Sequence, residues 1–343
     1  MTTFLTGVRT VAEQEFRLRI RAGRWRWLLT AWFVALTLFT VLVRLALSAG
    51  TGTDDESAGT AMYGSLMLLV LGLGMLIVPA LTAQSVNGDR ERGTLATLQV
   101  TRLRPVEIAV GKLVAAWGTS LVFLALTLPL VVWAVLEGGV PIGRLVVTML
   151  VVALLLGVTC AVAQALSALL ARSTTSAVLS YLVVFTLSIG TLIVFGLATA
   201  MSTEQATVTQ RTGVGPDDTI TYTTTVTRTD RVWWLLAPNP FVVLADAAPA
   251  LPDRRDPVTQ RREPRPFDPL GEIGSGVRGL REGPDLDDDP IGSPGPFMED
   301  EPSAPVWPYG LVVNLLLGGG ALVITTRRLR TPARTLPRGM RVA

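Results

Sequence analysis

The chain has no histidine and one cysteine, Cys160, in 343 residues. Without an imidazole there is nothing to activate a serine nucleophile by the usual triad, to ligate zinc through nitrogen, or to relay protons near neutral pH. One cysteine allows no intrachain disulfide. Charge is also scarce: 17% of the residues are Asp, Glu, Lys or Arg, against about 25% in an ordinary soluble domain. The long apolar runs contain no Asp or Glu. They therefore lack the midplane acid that proton- and sodium-driven transporters usually carry. No Gly-x-x-x-x-Gly-Lys-Ser/Thr segment occurs, so the usual phosphate-cradling loop for ATP is missing. No catalytic residue, metal ligand or cofactor is expected in this chain.

What the sequence does have is long apolar runs, with 49% hydrophobic residues and a mean hydropathy of +0.47. A bilayer core needs about 20 apolar residues per helix, at 1.5 Å each. Six runs qualify: Trp27–Leu47, Met62–Ala83, Leu113–Leu136, Leu145–Leu170, Ala177–Met201 and Val306–Thr325. The first is too long for a cleavable signal peptide and has no clean small-residue cleavage pattern after it. Residues 1–26 hold six Arg, residues 84–112 four Arg and one Lys, and residues 327–343 six Arg and no acid. The two short loops on the opposite side hold only Arg144 beside Asp54, Asp55, Glu56 and Glu137. Basic residues favour the cytoplasmic face. Both termini are therefore expected inside, in a multi-pass protein of the cell membrane, and an even number of spans follows. The pI near 9.5 then reflects residues facing anionic lipid headgroups, with no nucleic-acid partner.

The expected fold class is an all-α polytopic membrane protein. It has six transmembrane helices, an N-terminal interfacial amphipathic helix and a long external loop with a small β-hairpin. Residues 1–26 place Phe16, Ile20 and Trp27 on one helical face beside Arg17, Arg21 and Arg24, the pattern of a helix lying on the inner leaflet. A membrane domain of five spans follows at 27–201, with the links Glu137–Arg144 and Ala171–Ser176 short enough to make neighbours antiparallel. Residues 202–305 form the external loop, with ten Arg and eighteen acids; long loops cross the membrane largely regardless of charge. Within it, 205–229 alternates β-formers around Gly213–Asp218 and predicts a hairpin. Residues 231–250, rich in Trp and broken by Pro238 and Pro240, predict an interfacial hairpin. Residues 251–305 carry eleven of the 22 prolines and the acidic run Asp285–Asp289, which predicts irregular chain. The sixth span (306–326) and a basic cytoplasmic tail (327–343) close the sequence.

The stretch between the second and third runs, residues 84–112, is more than a connection. It alternates charges with Leu95, Leu98, Val100 and Leu103, so that a short helix there carries an apolar strip with a docking surface on another protein. The run Glu91-Arg92-Gly93-Thr94-Leu95, then Leu98, Thr101, Pro105, Ile108 and Gly111-Lys112-Leu113, resembles the first cytoplasmic loop of the permease subunits of type-2 ABC exporters. In that family this loop holds the coupling helix, which touches the ATPase subunit. The specific resemblance covers about residues 84–115, and the six-span layout agrees with it. Arg102-Leu103-Arg104 stands where the family often has Pro and Ser.

The resemblance implies a permease without enzyme activity, working with two copies of an ATP-binding subunit that bind the ATP, and pairing with itself or a sister permease. It assigns ATPase coupling to Glu91, Gly93, Thr94, Leu95, Leu98, Pro105, Gly111 and Lys112. Physically, Glu91 can pair with a partner's basic residue, Gly93 can turn the chain, Thr94 can cap a helix, and Leu95 and Leu98 can fill a groove. Four polar residues inside the spans stand out as pathway or interhelix groups: Arg44, Gln84, Gln164 and Asn314. Arg44 either snorkels to the headgroups or faces the pathway, and the other three either hydrogen-bond between helices or touch substrate. Pro79 and Pro129 are expected to kink their helices. Gly318-Gly319-Gly320 are expected to allow close helix packing. The alternatives are a secondary-active transporter and, less favoured, a receptor using the external loop.

Overall fold

A computed structural model of the chain describes residues 4–21, 24–49, 55–91, 93, 103–211, 219–251, 267–284 and 304–330. Six helical stretches in it are long and apolar enough to cross a membrane: Trp25–Ala49, Ala58–Glu91, Pro105–Leu136, Ile142–Leu169, Ser173–Met201 and Trp307–Leu329. These cover the six runs read from hydropathy to within one residue, and each reaches further at one end or both. The helices are α1 (Phe4–Arg21), α2 (Arg24–Ala49), α3 (Asp55–Thr82), α4 (Asn87–Glu91), α5 (Pro105–Leu126), α6 (Leu128–Leu136), α7 (Ile142–Leu169) and α8 (Ser173–Phe185). They continue as α9 (Thr191–Met201), α10 (Pro240–Ala247), α11 (Pro269–Glu282) and α12 (Trp307–Leu329).

The third span breaks between α5 and α6. Thr127 turns its hydroxyl back to the Leu124 carbonyl at 2.6 Å, and Pro129 cannot supply the amide that would continue the ladder. Pro79 lies inside α3. After α6, Gly138 and Gly139 take φ values of 98° and 82°, a left-handed turn that glycine adopts without a Cβ clash.

The chain divides into two compact units. The first comprises residues 1–185, 249–269 and 312–343. Its hub is α3, which packs against α2, α5, α6, α7 and α8. Leu36, Leu66, Met67, Leu71, Leu155 and Leu156 are fully enclosed there. A second cluster joins Val86, Ile108, Ala109, Ala168 and Leu329. Small residues let α12 approach the fourth span: Ala161, Ala165 and Ala321 form one cluster, and a Cβ at Gly318 would sit 3.2 Å from Val158. Small side chains favour such contacts in lipid, where dispersion rather than water exclusion drives helices together.

The second unit comprises residues 186–248 and 270–311. It holds the predicted hairpin: β1 (Thr203–Arg211) and β2 (Thr219–Thr227) pair antiparallel, Thr203 opposite Thr227. Residues 229–247 are two 3-10 turns followed by α10, and Leu236, Ala237 and Val242 are buried with Val277 and Val306. The apolar residues of this segment fill the unit's own core. One sequence expectation fails here. The irregular reading of 251–305 misses α11. Its Leu270, Ile273, Val277 and Leu280 recur at spacings of three and four, and Leu270 and Val277 are buried. Proline at the first helical position starts it without losing a hydrogen bond.

Asp246 organises this unit. Its carboxylate is wholly buried and accepts from Arg278 Nε at 2.5 Å and from the Val306 and Trp307 amides, each at 2.6 Å. It thereby ties α10 to α11 and caps the first turn of α12.

Candidate coupling site

The loop that the sequence singles out rises from a tightly bonded base. The chain leaves α3 at Thr82, turns, and forms α4. The hydroxyl of Ser167, near the end of the fourth span, accepts the amides of Val86 and Asn87, both at 3.1 Å. These are amides that a helix start leaves without intrahelical partners. Asn87 and Gly88 are buried beneath. At the other end of α4, Glu91 Oε1 accepts the Ser173 amide at 3.3 Å. A carboxylate at the first turn of the fifth span is also favoured by the positive end of that helix. Gly93 then turns the chain with φ 70°, its amide bonded to the Arg90 carbonyl at 3.2 Å. Thr94, Leu95 and Leu98 lie outside the described residues.

The chain re-enters at Leu103. Pro105 starts α5 with its missing amide at the first helical position, and the Glu107 carboxylate accepts the Arg104 amide at 2.9 Å. From here α1 runs alongside α5 in the same direction: Gly7 lies on Glu107, Val11 on Gly111, and Arg19 reaches Thr119. A Cβ at Gly111 would come within 2.7 Å of Val11 Cβ and 3.0 Å of the Val8 carbonyl. This face of α1 is therefore taken by the third span, while Phe4, Leu5 and Leu18 stay exposed. The single amphipathic face read through Phe16, Ile20 and Trp27 does not form, because α1 ends at Arg21 and Trp27 belongs to α2.

Lys112 sits at the centre of this base. It is the only lysine of the chain and its side chain is 1% exposed. The ammonium donates to Glu15 Oε1 of α1, to Asp89 Oδ2 of α4 at 2.5 Å, and to the Ser85 carbonyl at 3.0 Å. An ammonium has three hydrogens and accepts nothing, so its capacity is filled. The Glu15 and Asp89 side chains are 20% and 13% exposed. Arg19 adds a second positive charge nearby. Burial lowers its pKa from the ordinary arginine value, and Glu15 partly offsets this. Two carboxylates and two cations thus share one poorly solvated corner.

The structure thus gathers Glu91, Gly93, Pro105, Gly111 and Lys112 around one loop base, with Glu91 and Gly93 exposed and Gly111 and Lys112 enclosed. Sequence reasoning missed Glu15, Asp89, Ser167 and Ser173 as members of this base. A signal was available for the first two: a lone lysine followed by an apolar run needs acids from elsewhere in the fold.

The other singled-out polar residues are scattered. Gln164 donates Nε2 to the Ala109 carbonyl at 2.9 Å, joining the fourth and third spans. Arg44 pairs with Glu137 at 3.2 Å, both side chains half-buried. Asn314 is buried and Gln84 exposed. Arg144, read as a loop residue, is buried, and its Nη2 holds both carboxylate oxygens of Asp268 at 2.7 and 2.6 Å. Among the described residues no group of three or more Cys, Asp or Glu is placed to hold a metal ion.

Compared with known protein families, residues 9–260 match the ABC-2 family transporter proteins. Among curated proteins none matches the chain significantly.

Proposed function

Because the chain belongs to the ABC-2 family transporter proteins, a family of multi-pass membrane permeases, we propose that it is the membrane subunit of an ATP-driven exporter. ATP is bound and hydrolysed by a separate subunit present in two copies. That subunit docks on the loop between the second and third spans, in the cytoplasm, where both termini also lie. Two permeases, two copies of this chain or this chain with a sister, line the pathway between them.

The observation that carries this reading is the wiring of the loop base. Displacing α4 pulls on the fourth span through Ser167, on the fifth through the Ser173 amide held by Glu91, and on α1 and the third through Lys112. A subunit pushing on residues 93–103 delivers its motion to these helices together. The permease needs no chemistry of its own, only two arrangements of these spans that the partner's nucleotide state biases.

The test is co-purification of the chain with a P-loop ATPase from a membrane extract. Association that falls at least tenfold in the Glu91→Ala, Leu95→Ala double variant supports the reading. Transport by the isolated chain, persisting without ATP and collapsing with an ionophore, sinks it and restores the secondary-active alternative.

A further inference from the structure

We propose that Lys112 is a positioning residue of the transport cycle: its ammonium ties the N-terminal helix α1 to the α4 loop, so that both move as one body with the start of the third span. The inference rests on the function proposed above and adds a moving part to it.

The geometry points to a tie rather than to ordinary packing. The three acceptors around Nζ come from three different segments: Glu15 from α1, Ser85 from the end of the second span, and Asp89 from α4. Separating α1 from α4 strips one carboxylate from a buried ammonium and leaves a charge with little water to replace it. Two apolar faces in the same place could slide by a fraction of a helical turn at small cost; a charge with its acceptors fixed cannot. The contact beside it agrees. Val11 sits directly against Gly111, one residue from Lys112, so the two helices already touch at backbone distance. Lysine suits the site because three acceptors converge on one nitrogen, whereas the planar fork of arginine would spread its donors over several angstroms.

The single lysine gives a direct readout in the unaltered sequence. The full chain, in complex with its ATP-binding subunit in lipid nanodiscs, is treated with an acetyl N-hydroxysuccinimide ester, and acetylation of Lys112 is read by peptide mass spectrometry. Exposed lysines of the ATP-binding subunit report that the reagent is active. Lys112 is expected to stay at least tenfold less modified than those lysines, both without nucleotide and after trapping with ATP and vanadate. A rise in Lys112 acetylation on trapping overturns the proposal, because the tie then breaks during the cycle.

A second measurement separates positioning from stability. Spin labels at Gln14→Cys and Arg90→Cys, both exposed positions, are placed on a Cys160→Ser background. The distance between them is expected to change by less than ~2 Å on vanadate trapping, the scale of a packed-helix shift. The triple variant Glu15→Gln, Asp89→Asn, Lys112→Met keeps the volume and removes the three charges of the tie, leaving Arg19 as the one cation of this corner; its folding is checked by a monodisperse elution profile in detergent. In it the trapped-state distance is expected to broaden and shift, while ATP hydrolysis continues. A triple variant with the wild-type distance in both states overturns the tie. Failure of any ATPase to co-purify with the wild-type chain counts against the function proposed above. Acetylation and label distance in the permease alone would still read whether Lys112 holds α1 to α4.

Discussion

Ser167 and Asn87 are 80 residues apart in sequence, yet the serine hydroxyl accepts the asparagine amide at 3.1 Å, and the neighbouring Val86 amide at the same distance. The fourth span therefore caps the small helix from which the loop between the second and third spans departs. Ser167 is fully buried, so Ser167→Ala leaves two amides enclosed without an acceptor. Loss of a buried partner costs about 1–3 kcal/mol. We expect a lowered midpoint in detergent thermal unfolding and weaker capture of the ATP-binding subunit. Ser167→Thr, which keeps the hydroxyl, should retain more of both.

The approach of α1 to α5 depends on the absence of a side chain at residue 111. Gly111→Leu would drive a branched side chain into Val11 and the Val8 carbonyl. Overpacking of this kind costs about 1–3 kcal/mol. The backbone carbonyl cannot yield as a side chain can, so the helix itself has to lift. We expect faster limited proteolysis within residues 4–21 of Gly111→Leu, with the membrane-embedded fragments still protected. Adding Val11→Gly should recover part of the protection, because it removes both Val11 Cβ and Cγ1 and leaves only the Val8 carbonyl in the way.

Asp246 offers a test in the second unit. Its carboxylate, itself fully buried, meets two amides and the guanidinium of Arg278, whose side chain is 27% exposed. Asp246→Ala leaves Arg278 without its carboxylate and the start of α12 without its cap. Loss of the acceptor for enclosed donors costs about 1–3 kcal/mol, and the part-exposed guanidinium adds to it. We expect poor yield of folded protein and, in hydrogen exchange, lost protection in both Pro240–Ala247 and Pro269–Glu282. Asp246→Asn can keep an oxygen where Oδ2 accepts both amides, but its NH2 then meets Arg278 Nε and cannot balance the guanidinium charge, so it should fall between wild type and Asp246→Ala.

How much of this was legible in the sequence depends on the range of the cause. The spans were, because apolar length is a local property set by bilayer thickness. So was the break at Thr127, through Pro129, and the β1–β2 hairpin, through alternating Thr and Val. The helix α11 was hidden by averaging: 55 residues of proline and acid surround 14 residues whose apolar positions do fall on one face. The loop base was legible only as a list of residues. That Lys112 turns inward follows from its partners, and these stand 97 and 23 residues away. Nothing in the local pattern of Gly111-Lys112-Leu113 says which acid will meet it, so the same letters read equally well as a surface for another protein.

The fifth span holds a further device that local sequence did not announce. Between α8 and α9, Thr186–Gly190 is a π-helical segment; such bulges insert a residue into the helix and leave carbonyls without their regular partners. Asn239, just before α10, donates Nδ2 to the Ser188 carbonyl at 2.8 Å and to Thr191 Oγ1 at 2.9 Å. Its Oδ1 meanwhile accepts the Phe241 amide at 2.9 Å and caps α10. The two ends of one amide thus serve two elements, and substitution can separate them. Asn239→Asp keeps the cap acceptor but removes the donor, and sets a carboxylate oxygen against the Ser188 carbonyl. Asn239→Ala removes both. If the amide donor is what sustains the π-segment, hydrogen exchange at residues 186–191 should accelerate at least tenfold in both variants. Exchange in Pro240–Ala247 should accelerate mainly in Asn239→Ala, since loss of a cap costs about 1 kcal/mol. Protection of residues 186–191 that survives in Asn239→Asp would show the bulge to be held by the fifth span alone.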